Sequence, residues 1–404
     1  PARKLNRQQS TQPNNVIGVE KVKSLVLAGL SGGSGKSVVS VGLIAALKNR
    51  GMGVAPFKKG PDYIDAGWMS KAAGQPCYNL DPYLMPPEAI VTTFERHIYG
   101  NGYAVVEGNR GLFDGVNAKG EFSTAELAQL LDLPVLLVIN CSKTTRTVAA
   151  LVLGCQAFDP RLRFAGVILN QIATSRHESI IRQSLERYTD LPVLGIMPRL
   201  PQDVFPMRHL GVTPHQEYAD AGEVVANLGA LAETHCDLDA IIAGMREVMP
   251  LPPVHRAYAA PKLTIGVLRD AAFQFYYEEN LEALTEAGAN LVMIDALHAP
   301  ALPADLDGLY IGGGQYIHAS SSKGMVVEST LNLSRNLGRI TGASLMGAVF
   351  ALASATGSFE TAQPEAVATG MRITYAAAAI LIVAALLIAA GSRALASRPS
   401  PLGS

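Results

Sequence analysis

A glycine-rich loop between an apolar run and a helical pattern constrains this chain more than any other feature. The apolar run is Ser24–Gly29, and the loop Gly29–Ser37 follows with the sequence GLSGGSGKS. Glycines let backbone N–H groups face an anion, and the start of the next helix adds the positive end of its dipole. Lys36 then stands where it reaches the phosphates of a nucleotide, and the Ser37 hydroxyl stands where Mg²⁺ binds. We therefore predict an ATP-binding loop with these residues: Gly29, Gly32, Gly33, Ser34, Gly35, Lys36 and Ser37.

The spacing of this loop is one residue longer than the standard pattern G-x4-G-K-[ST], because Leu30 occupies the first glycine position. The alternative interpretation is a glycine-rich turn that binds no ligand. The lysine and the serine both fall where phosphate chemistry requires them, which favours nucleotide binding.

Short apolar runs alternate with helical patterns through the first 250 residues. Runs of five or six apolar residues are typical of strands covered on both faces. Such an alternation predicts an α/β fold with a doubly wound parallel sheet. The predicted strands are Ser24–Gly29, Gly53–Phe57, Tyr103–Glu107, Val135–Asn140 and Ala165–Asn170, and the predicted helices are Lys36–Arg50, Thr124–Leu131, Thr145–Ala157 and Glu178–Tyr188.

A proline-rich stretch divides the chain and a second α/β pattern follows it. That pattern consists of strands at Leu263–Leu268, Leu291–Ile294 and Gly308–Ile311 with a helix at Tyr277–Ala287. The resulting domain prediction is a disordered lead-in over 1–20, a P-loop domain over 21–249, a linker over 250–261 and an incomplete α/β piece over 262–318.

Carboxylates and a lysine follow two of the predicted strands. Lys58 and Asp62 come after the second strand, and Glu107 ends the third. Because ligands bind outside the carboxyl ends of parallel strands, we expect these side chains to meet the P-loop. Ser37, Asp62 and Glu107 supply the hard oxygen ligands that suit Mg²⁺. The alternative for each acid alone is a surface residue that caps a helix or closes a turn.

Composition excludes several other classes of protein. Lys plus Arg (33) nearly balances Asp plus Glu (34), which argues against a basic nucleic-acid-binding surface. The four cysteines lie far apart and form no C-x-x-C pair, so neither a disulfide framework nor a zinc site is expected, and the spacing fits a reducing compartment.

Several longer motifs resemble the cobyrinate a,c-diamide synthase family. The resemblance covers about residues 22–314 and is carried by Ala55–Trp68, Tyr78–Met85, Glu107–Gly115, Val152–Pro160, Arg187–Arg199 and Arg208–Val212. The extended P-loop also resembles that of dethiobiotin synthetase. The resemblance implies an ATP- and Mg²⁺-dependent ligase that amidates the a and c side-chain carboxylates of a corrinoid precursor through an acyl phosphate.

The resemblance also implies roles for individual residues. The implied catalytic residues are Lys36, Lys58, Asp62 and Asp114, and the implied Mg²⁺ ligands are Ser37, Asp62 and Glu107. The implied substrate-binding residues are Tyr63, Asp65, Asp114 and Arg208. Arg208 and His209 are the weaker candidates, and a histidine that caps a loop is the alternative for His209. Asn170 matches a position near the adenine of ATP. Close relatives use cobyrinate, hydrogenobyrinate or a nickel sirohydrochlorin, and a homodimer is a further expectation.

The segments Arg269–Leu284 and Leu306–Gly314 resemble the start of the family's class I glutamine amidotransferase domain. That domain needs a cysteine nucleophile after its glycine strand. In this sequence no cysteine follows Cys236, and Gln315 stands where relatives begin Phe-Pro-Glu. We therefore expect the chain to use ammonia and not to hydrolyse glutamine.

Residues 323–404 have a different character from the rest of the chain. They carry six basic and three acidic residues, and they hold the hydropathy excess behind the mean value of +0.20. Met371–Ala390 is apolar over about one bilayer thickness, and Ile340–Gly357 is rich in small residues. Both patterns favour membrane helices, with membrane contact over 337–391.

This tail resembles the last helices of a major facilitator superfamily drug:proton antiporter. We interpret the chain as a chimera joined near residues 315–330, with a cytoplasmic enzyme part. Two alternatives stand beside the ligase: a non-functional fusion with a transporter fragment, and a P-loop partitioning-type ATPase. Ser31 stands where the ATPase class has a signature lysine, which counts against the latter.

Overall fold

The computed structural model describes residues 20–200, 207, 208, 211, 212, 214, 215, 218, 220–252, 263–270, 273, 276–312, 315–320 and 325–328. Contacts divide these residues into two compact units. The first contains the described residues up to 263 and those from 269 to 300, and the second contains 264–268 and those from 301 onward. The predicted lead-in before residue 20, the linker from 253 and the apolar tail after residue 328 lie outside the described residues.

Each strand and helix predicted before residue 312 is present, and the structure adds further elements between and after them. The strands are β1 (Val22–Gly29), β2 (Val54–Lys59), β3 (Tyr78–Leu80), β4 (Tyr103–Glu107), β5 (Val135–Asn140), β6 (Phe164–Ile172), β7 (Val193–Pro198), β8 (Met207–Arg208), β9 (Gly211–Val212), β10 (Arg246–Val248), β11 (Leu263–Leu268), β12 (Ala289–Ile294), β13 (Gly308–Gly312), β14 (Gln315–Ser320) and β15 (Met325–Glu328). The helices are α1 (Lys36–Asn49), α2 (Ile64–Ala73), α3 (Pro87–His97), α4 (Thr124–Leu130), α5 (Thr147–Phe158), α6 (Ser175–Tyr188), α7 (Ala221–His235), α8 (Leu238–Gly244) and α9 (Glu278–Glu286).

The central sheet of the first unit has the strand order β3-β2-β4-β1-β5-β6-β7. Neighbouring strands in this order run parallel, and β10 adds an antiparallel pairing to the start of β1. The carboxyl ends of β1, β2 and β4 therefore lie next to one another at the centre of the sheet, where the crevice of an open α/β sheet forms.

Both faces of this sheet are buried, which confirms the doubly wound α/β fold. Along β1, Val26 and Ala28 pack into one core with α3 to α6, whereas Leu25 and Leu27 pack into the other with α1, α2, α7 and α8. Alternate residues of a strand point to opposite faces, so one apolar run supplies both cores. Helix starts are defined locally: the Ser123 hydroxyl, for example, accepts a hydrogen bond from the Glu126 N–H and caps α4.

Segment 269–300 groups with the first unit, although the sequence places it in the second α/β piece. Its helix α9 is tied to β3 and α3 by polar contacts. Glu282 accepts a hydrogen bond from the Tyr78 hydroxyl at 2.5 Å and lies 3.0 Å from His97 Nε2, while Glu279 accepts one from the Asn79 N–H at 3.0 Å. The Tyr78 and His97 rings stack with their centroids 3.6 Å apart.

In the second unit, β11 and β13 pair in parallel, and β13, β14 and β15 continue as antiparallel neighbours. The hairpin of β14 and β15 is absent from the sequence prediction, which has no strand after Ile311. Among the helices that the structure describes, none combines the length and the hydropathy needed to cross a membrane. The two predicted membrane segments, 340–357 and 371–390, lie outside the described residues.

Candidate functional site

The P-loop leaves β1 and enters α1 in a conformation that requires glycine. Gly33 and Gly35 have φ values of 71° and 93°, in the left-handed region that favours glycine. Gly35 is also crowded, since a Cβ there would lie 2.0 Å from Nδ2 of Asn170. The loop therefore exposes backbone N–H groups at the start of α1, as a phosphate-binding loop does.

Asn170 lies behind this loop and supports its backbone. Its side chain is buried, with Nδ2 donating to the Ser34 carbonyl at 2.9 Å and Oδ1 accepting from the Gln171 N–H at 2.9 Å. The predicted contact between Asn170 and adenine stays a prediction. What the structure adds is a role in fixing the shape of the loop from the end of β6.

Lys36 connects the P-loop to the loop that follows β4. Its ammonium donates to the Ser31 carbonyl at 3.1 Å and to the Arg110 carbonyl at 2.7 Å. Burial lowers the pKa of Lys36, and the charge of Glu107 counteracts part of that effect. The only partners of the ammonium among these hydrogen bonds are neutral carbonyls, so its charge is available to an anionic phosphate.

Lys58 stands at the centre of three carboxylates. Its Nζ lies 2.7 Å from Asp65 Oδ2, 2.7 Å from Glu107 Oε1 and 3.7 Å from Asp62 Oδ2. Burial alone would lower the pKa of Lys58, but Glu107, Asp65 and Asp62 outweigh it and raise that pKa above the ordinary value. We call this group the Lys58 cluster; within it burial raises the pKa of Asp62 and of Glu107, and the Lys58 charge counteracts part of that effect.

The P-loop and the Lys58 cluster meet at Glu107, which is fully buried. The Ser37 hydroxyl donates to Glu107 Oε1 at 3.1 Å, and the Ser40 hydroxyl donates to Glu107 Oε2. The structure thus places Ser37, Lys58 and Glu107 next to one another, as the sequence predicts. Ser40 is absent from the sequence prediction, although its position one turn after Ser37 on α1 places both hydroxyls on one helix face.

Asp62 and Asp65 lie at the start of α2. Asp62 Oδ1 accepts from the Ile64 N–H at 3.0 Å and from the Asp65 N–H at 3.2 Å, so Asp62 caps α2 with one oxygen and faces Lys58 with the other. Burial would raise the pKa of Asp65, but the adjacent Lys58 charge lowers it. Tyr63, beside them, lines a cavity together with Gly67 on α2.

The remaining predicted site residues lie at the edge of this arrangement. Asp114 is exposed and accepts from the Gly111 N–H at 2.9 Å, closing the turn after β4. Its charge acts on Lys36, but none of its hydrogen bonds reaches the Lys58 cluster. Arg208 ends β8, and its side chain and His209 lie outside the described residues.

The donor set at the P-loop fits Mg²⁺ bound together with a nucleotide. Within the described ranges no three His, Cys, Asp or Glu side chains are grouped as a self-sufficient metal site. Mg²⁺ usually binds through one or two carboxylates plus phosphate and water. The Ser37 hydroxyl and the Glu107 carboxylate supply such oxygens beside the loop.

Comparison with known proteins supports the nucleotide-binding loop. Residues 25–209 match the family model described as the CobQ/CobB/MinD/ParA nucleotide binding domain. A cobyrinate a,c-diamide synthase from Dehalococcoides mccartyi is 40% identical over 316 residues, which cover 76% of this chain and 68% of that protein. The chain belongs to the cobyrinate a,c-diamide synthase family.

Other relatives support the same assignment. The cobyrinate a,c-diamide synthase of Magnetococcus marinus is 42% identical over 303 residues, 73% of this chain and 65% of that protein. The hydrogenobyrinate a,c-diamide synthase of Streptomyces coelicolor is 40% identical over 331 residues, 72% of this chain and 68% of that protein. The chain thus spans roughly two thirds of the length of its curated cobyrinate and hydrogenobyrinate synthase relatives. The predicted family and its nucleotide-binding fold are confirmed, whereas the transporter-like tail lies outside the described residues.

Proposed function

We propose that this synthase-family chain amidates the a and c side-chain carboxylates of a corrinoid precursor, using ATP and ammonia. The observation that carries the proposal is the junction at Glu107, where the Ser37 hydroxyl of the P-loop and the Lys58 ammonium bind the same carboxylate oxygen at 3.1 and 2.7 Å. A phosphate-binding loop and a charged amino group directed at one point suit phosphoryl transfer to a carboxylate.

The reaction has two balanced steps. A carboxylate oxygen of the substrate attacks the γ-phosphorus of ATP, the bond from that phosphorus to the bridging oxygen breaks, and ADP leaves with the electron pair. The nitrogen of ammonia then attacks the acyl carbon, the carbon–oxygen bond to phosphate breaks, and loss of a proton from nitrogen gives the amide and inorganic phosphate. Phosphorylation is needed because a carboxylate oxygen alone is a poor leaving group.

The protein supplies positioning and charge for these steps. The P-loop N–H groups and Lys36 bind the phosphates, and Lys58 offsets the repulsion between the substrate carboxylate and the γ-phosphate. Ser37 and Glu107 are the residues that would hold Mg²⁺, with Asp62 Oδ2, the oxygen that does not cap α2, nearby. The ion would neutralise phosphate charge when bound. Tyr63, Asp65, Asp114 and Arg208 are the proposed substrate contacts, and Asn170 the proposed adenine contact.

The test is amide formation by the 404-residue chain. It is incubated with ATP, Mg²⁺, ammonium and either cobyrinate or hydrogenobyrinate, since relatives named for both match the chain. We expect a mono- and then a diamide by mass spectrometry, with one ADP released per amide and no product without ATP. Steady ATP hydrolysis without amide, whichever macrocycle is present, would contradict the proposal and favour a partitioning-type ATPase.

Membrane contact through residues 337–391 and a homodimer stay proposals drawn from the sequence. For the tail, we expect the full chain to enter the detergent phase in a Triton X-114 partition, because Met371–Ala390 is about one bilayer thickness long with a single charge at its start, and its part Tyr375–Ala390 has no polar side chain other than the tyrosine. A full chain that stays monodisperse without detergent would contradict that expectation.

A further inference from the structure

The buried hydroxyl of Ser40 lies against the carboxylate that joins the P-loop to the Lys58 cluster. Ser40 is 0% exposed and stands on α1, one turn after Ser37. Its Oγ donates to Glu107 Oε2, whereas the other oxygen, Oε1, receives the Ser37 hydroxyl at 3.1 Å and the Lys58 ammonium at 2.7 Å. The two oxygens of Glu107 are therefore held by different partners.

The Ser40 hydroxyl has two acceptors within reach, and their relative strength determines which one receives its hydrogen. The Ser37 carbonyl lies 3.2 Å from Ser40 Oγ and is a second acceptor within reach, but a hydroxyl has only one hydrogen to donate. A buried carboxylate is the stronger acceptor because its hydrogen bonds are charge-assisted. The hydrogen therefore goes to Glu107, and it fixes the orientation of the carboxylate about its last torsion.

We propose that Ser40 is a positioning residue that turns Glu107 so that Oε1 faces the Ser37 hydroxyl. The inference rests on the proposed function in one respect, namely that Ser37 and Glu107 hold Mg²⁺ with the nucleotide. Without the Ser40 hydroxyl, Oε2 loses its donor in a site from which water is excluded. The carboxylate then turns to share the Lys58 ammonium through both oxygens, and the oxygen meant for Mg²⁺ is misaligned.

The experiment measures nucleotide binding without the macrocycle. The full chain, with Ser40→Ala, Ser40→Thr and Ser40→Cys variants, is titrated calorimetrically with a non-hydrolysable ATP analogue, with and without Mg²⁺. We expect Ser40→Ala to reduce the Mg²⁺-dependent gain in affinity about tenfold, the size of one hydrogen bond to a charged group. Metal-free affinity should change less than about twofold, because the P-loop backbone is untouched, and Ser40→Thr should restore the gain since it keeps the hydroxyl.

The controls separate positioning from general damage. Ser40→Cys keeps the volume with a much weaker donor, so it replaces Ser40→Ala if that variant does not fold, and we expect the same loss of Mg²⁺ dependence. An unchanged Mg²⁺ dependence in both variants, or an equal loss of affinity with and without the metal, would overturn the proposal.

The outcomes also distinguish this inference from the proposed function. A wild-type chain that forms no amide, but whose Mg²⁺-dependent binding requires the Ser40 hydroxyl, supports the inference and contradicts the function. A wild-type chain that forms amide, with Ser40→Ala and Ser40→Cys binding Mg²⁺ and nucleotide as the wild type does, supports the function and overturns the inference.

Discussion

Lys58 is a buried ammonium whose charge faces three carboxylates, so its removal tests the proposed phosphoryl transfer. We expect Lys58→Met to lower kcat for amide formation at least about 100-fold, because a preorganised charge at the reacting groups is lost. Lys59→Met is the matched control: Lys59 is the next residue of β2, also buried, and successive strand residues point to opposite faces. That control should retain activity within about threefold.

Stability must be followed beside this rate measurement. Breaking a buried ion pair leaves uncompensated carboxylates, which costs about 3–5 kcal/mol where the charges cannot reach water. Saturating nucleotide should therefore be present when Lys58→Met is assayed, and folding checked by circular dichroism. A folded Lys58→Met chain with wild-type turnover would contradict the role proposed for Lys58.

Asp65 makes the stability of this cluster depend on pH. Burial would raise its pKa, but the Lys58 ammonium at 2.7 Å lowers it below the unfolded value of about 3.9. A carboxyl with a lowered folded pKa contributes stability above the unfolded pKa and loses it as pH falls through the folded pKa.

We therefore expect wild type to be more stable than Asp65→Asn at pH 7, with the difference shrinking below about pH 4. Urea midpoints between pH 7 and pH 3 measure this. Asp239→Asn is the control, since Asp239 pairs with Arg50 at the surface with a side chain 85% exposed, and its effect should stay below about 1 kcal/mol throughout. A stability difference between wild type and Asp65→Asn that grows as the pH falls would contradict the ion pair between Asp65 and Lys58.

At the scale of elements, α1 and α7 approach closely because Gly42 has no side chain. A Cβ at Gly42 would lie 2.7 Å from the Leu228 carbonyl oxygen on α7 and 3.3 Å from Ala232 Cβ. We expect Gly42→Ala to destabilise the protein by about 1–3 kcal/mol through overpacking. Gly154→Ala on α5 meets nothing within 4 Å and should stabilise by about 0.5–1 kcal/mol through helix propensity. Denaturant unfolding of both variants checks the pair; a neutral Gly42→Ala would mean that the two helices can separate.

The elements that the sequence predicts are those whose apolar pattern is local and continuous. The strands from β4 to β6 and the helices α1, α4 and α6 fall within a few residues of their predicted bounds. Helices α2, α3 and α7 and the strands β7 and β10 are not predicted. Length is not the reason, since α7 has 15 residues and the predicted helix α4 has 7. Helices α2 and α3 begin directly after loops rich in Pro, Gly and Asp, which obscure their starts. The β14–β15 hairpin has no alternating apolar pattern strong enough to predict it.

The residues of the candidate site also fall into those that the sequence predicts and those that it does not. The P-loop, Lys58 and Glu107 follow from strand ends and motif spacing, because topology alone brings those ends together. The hydrogen bonds of Ser40 and Asn170 do not follow, since they depend on side-chain orientation across 67 and 136 residues of chain. For Asp62 the structure has the helix cap that the sequence leaves as an alternative, with the second oxygen facing Lys58, and its role towards Mg²⁺ stays a prediction.

At the scale of the whole molecule, the source of ammonia for the proposed amidation depends on the four cysteines. Cys77, Cys141 and Cys155 are buried, and Cys236 is half-buried against Gly195. Burial raises the pKa of Cys141 and Cys236 to about 12 and raises the pKa of Cys77 and Cys155 as well. A thiol must ionise to attack glutamine, so none of the four is prepared to act as a nucleophile near neutral pH.

This chain should therefore take its amide nitrogen from ammonium and not from glutamine. Parallel reactions with ¹⁵N-ammonium and with amide-¹⁵N-glutamine measure the label in the product, and we expect label only from ammonium. The rate should rise with pH between about 7 and 9, because free ammonia and not the ammonium ion attacks the acyl phosphate. Label from glutamine would contradict this expectation. A Cys236→Ala chain then shows whether the least buried of the four thiols is the nucleophile, since loss of the label would assign it to Cys236.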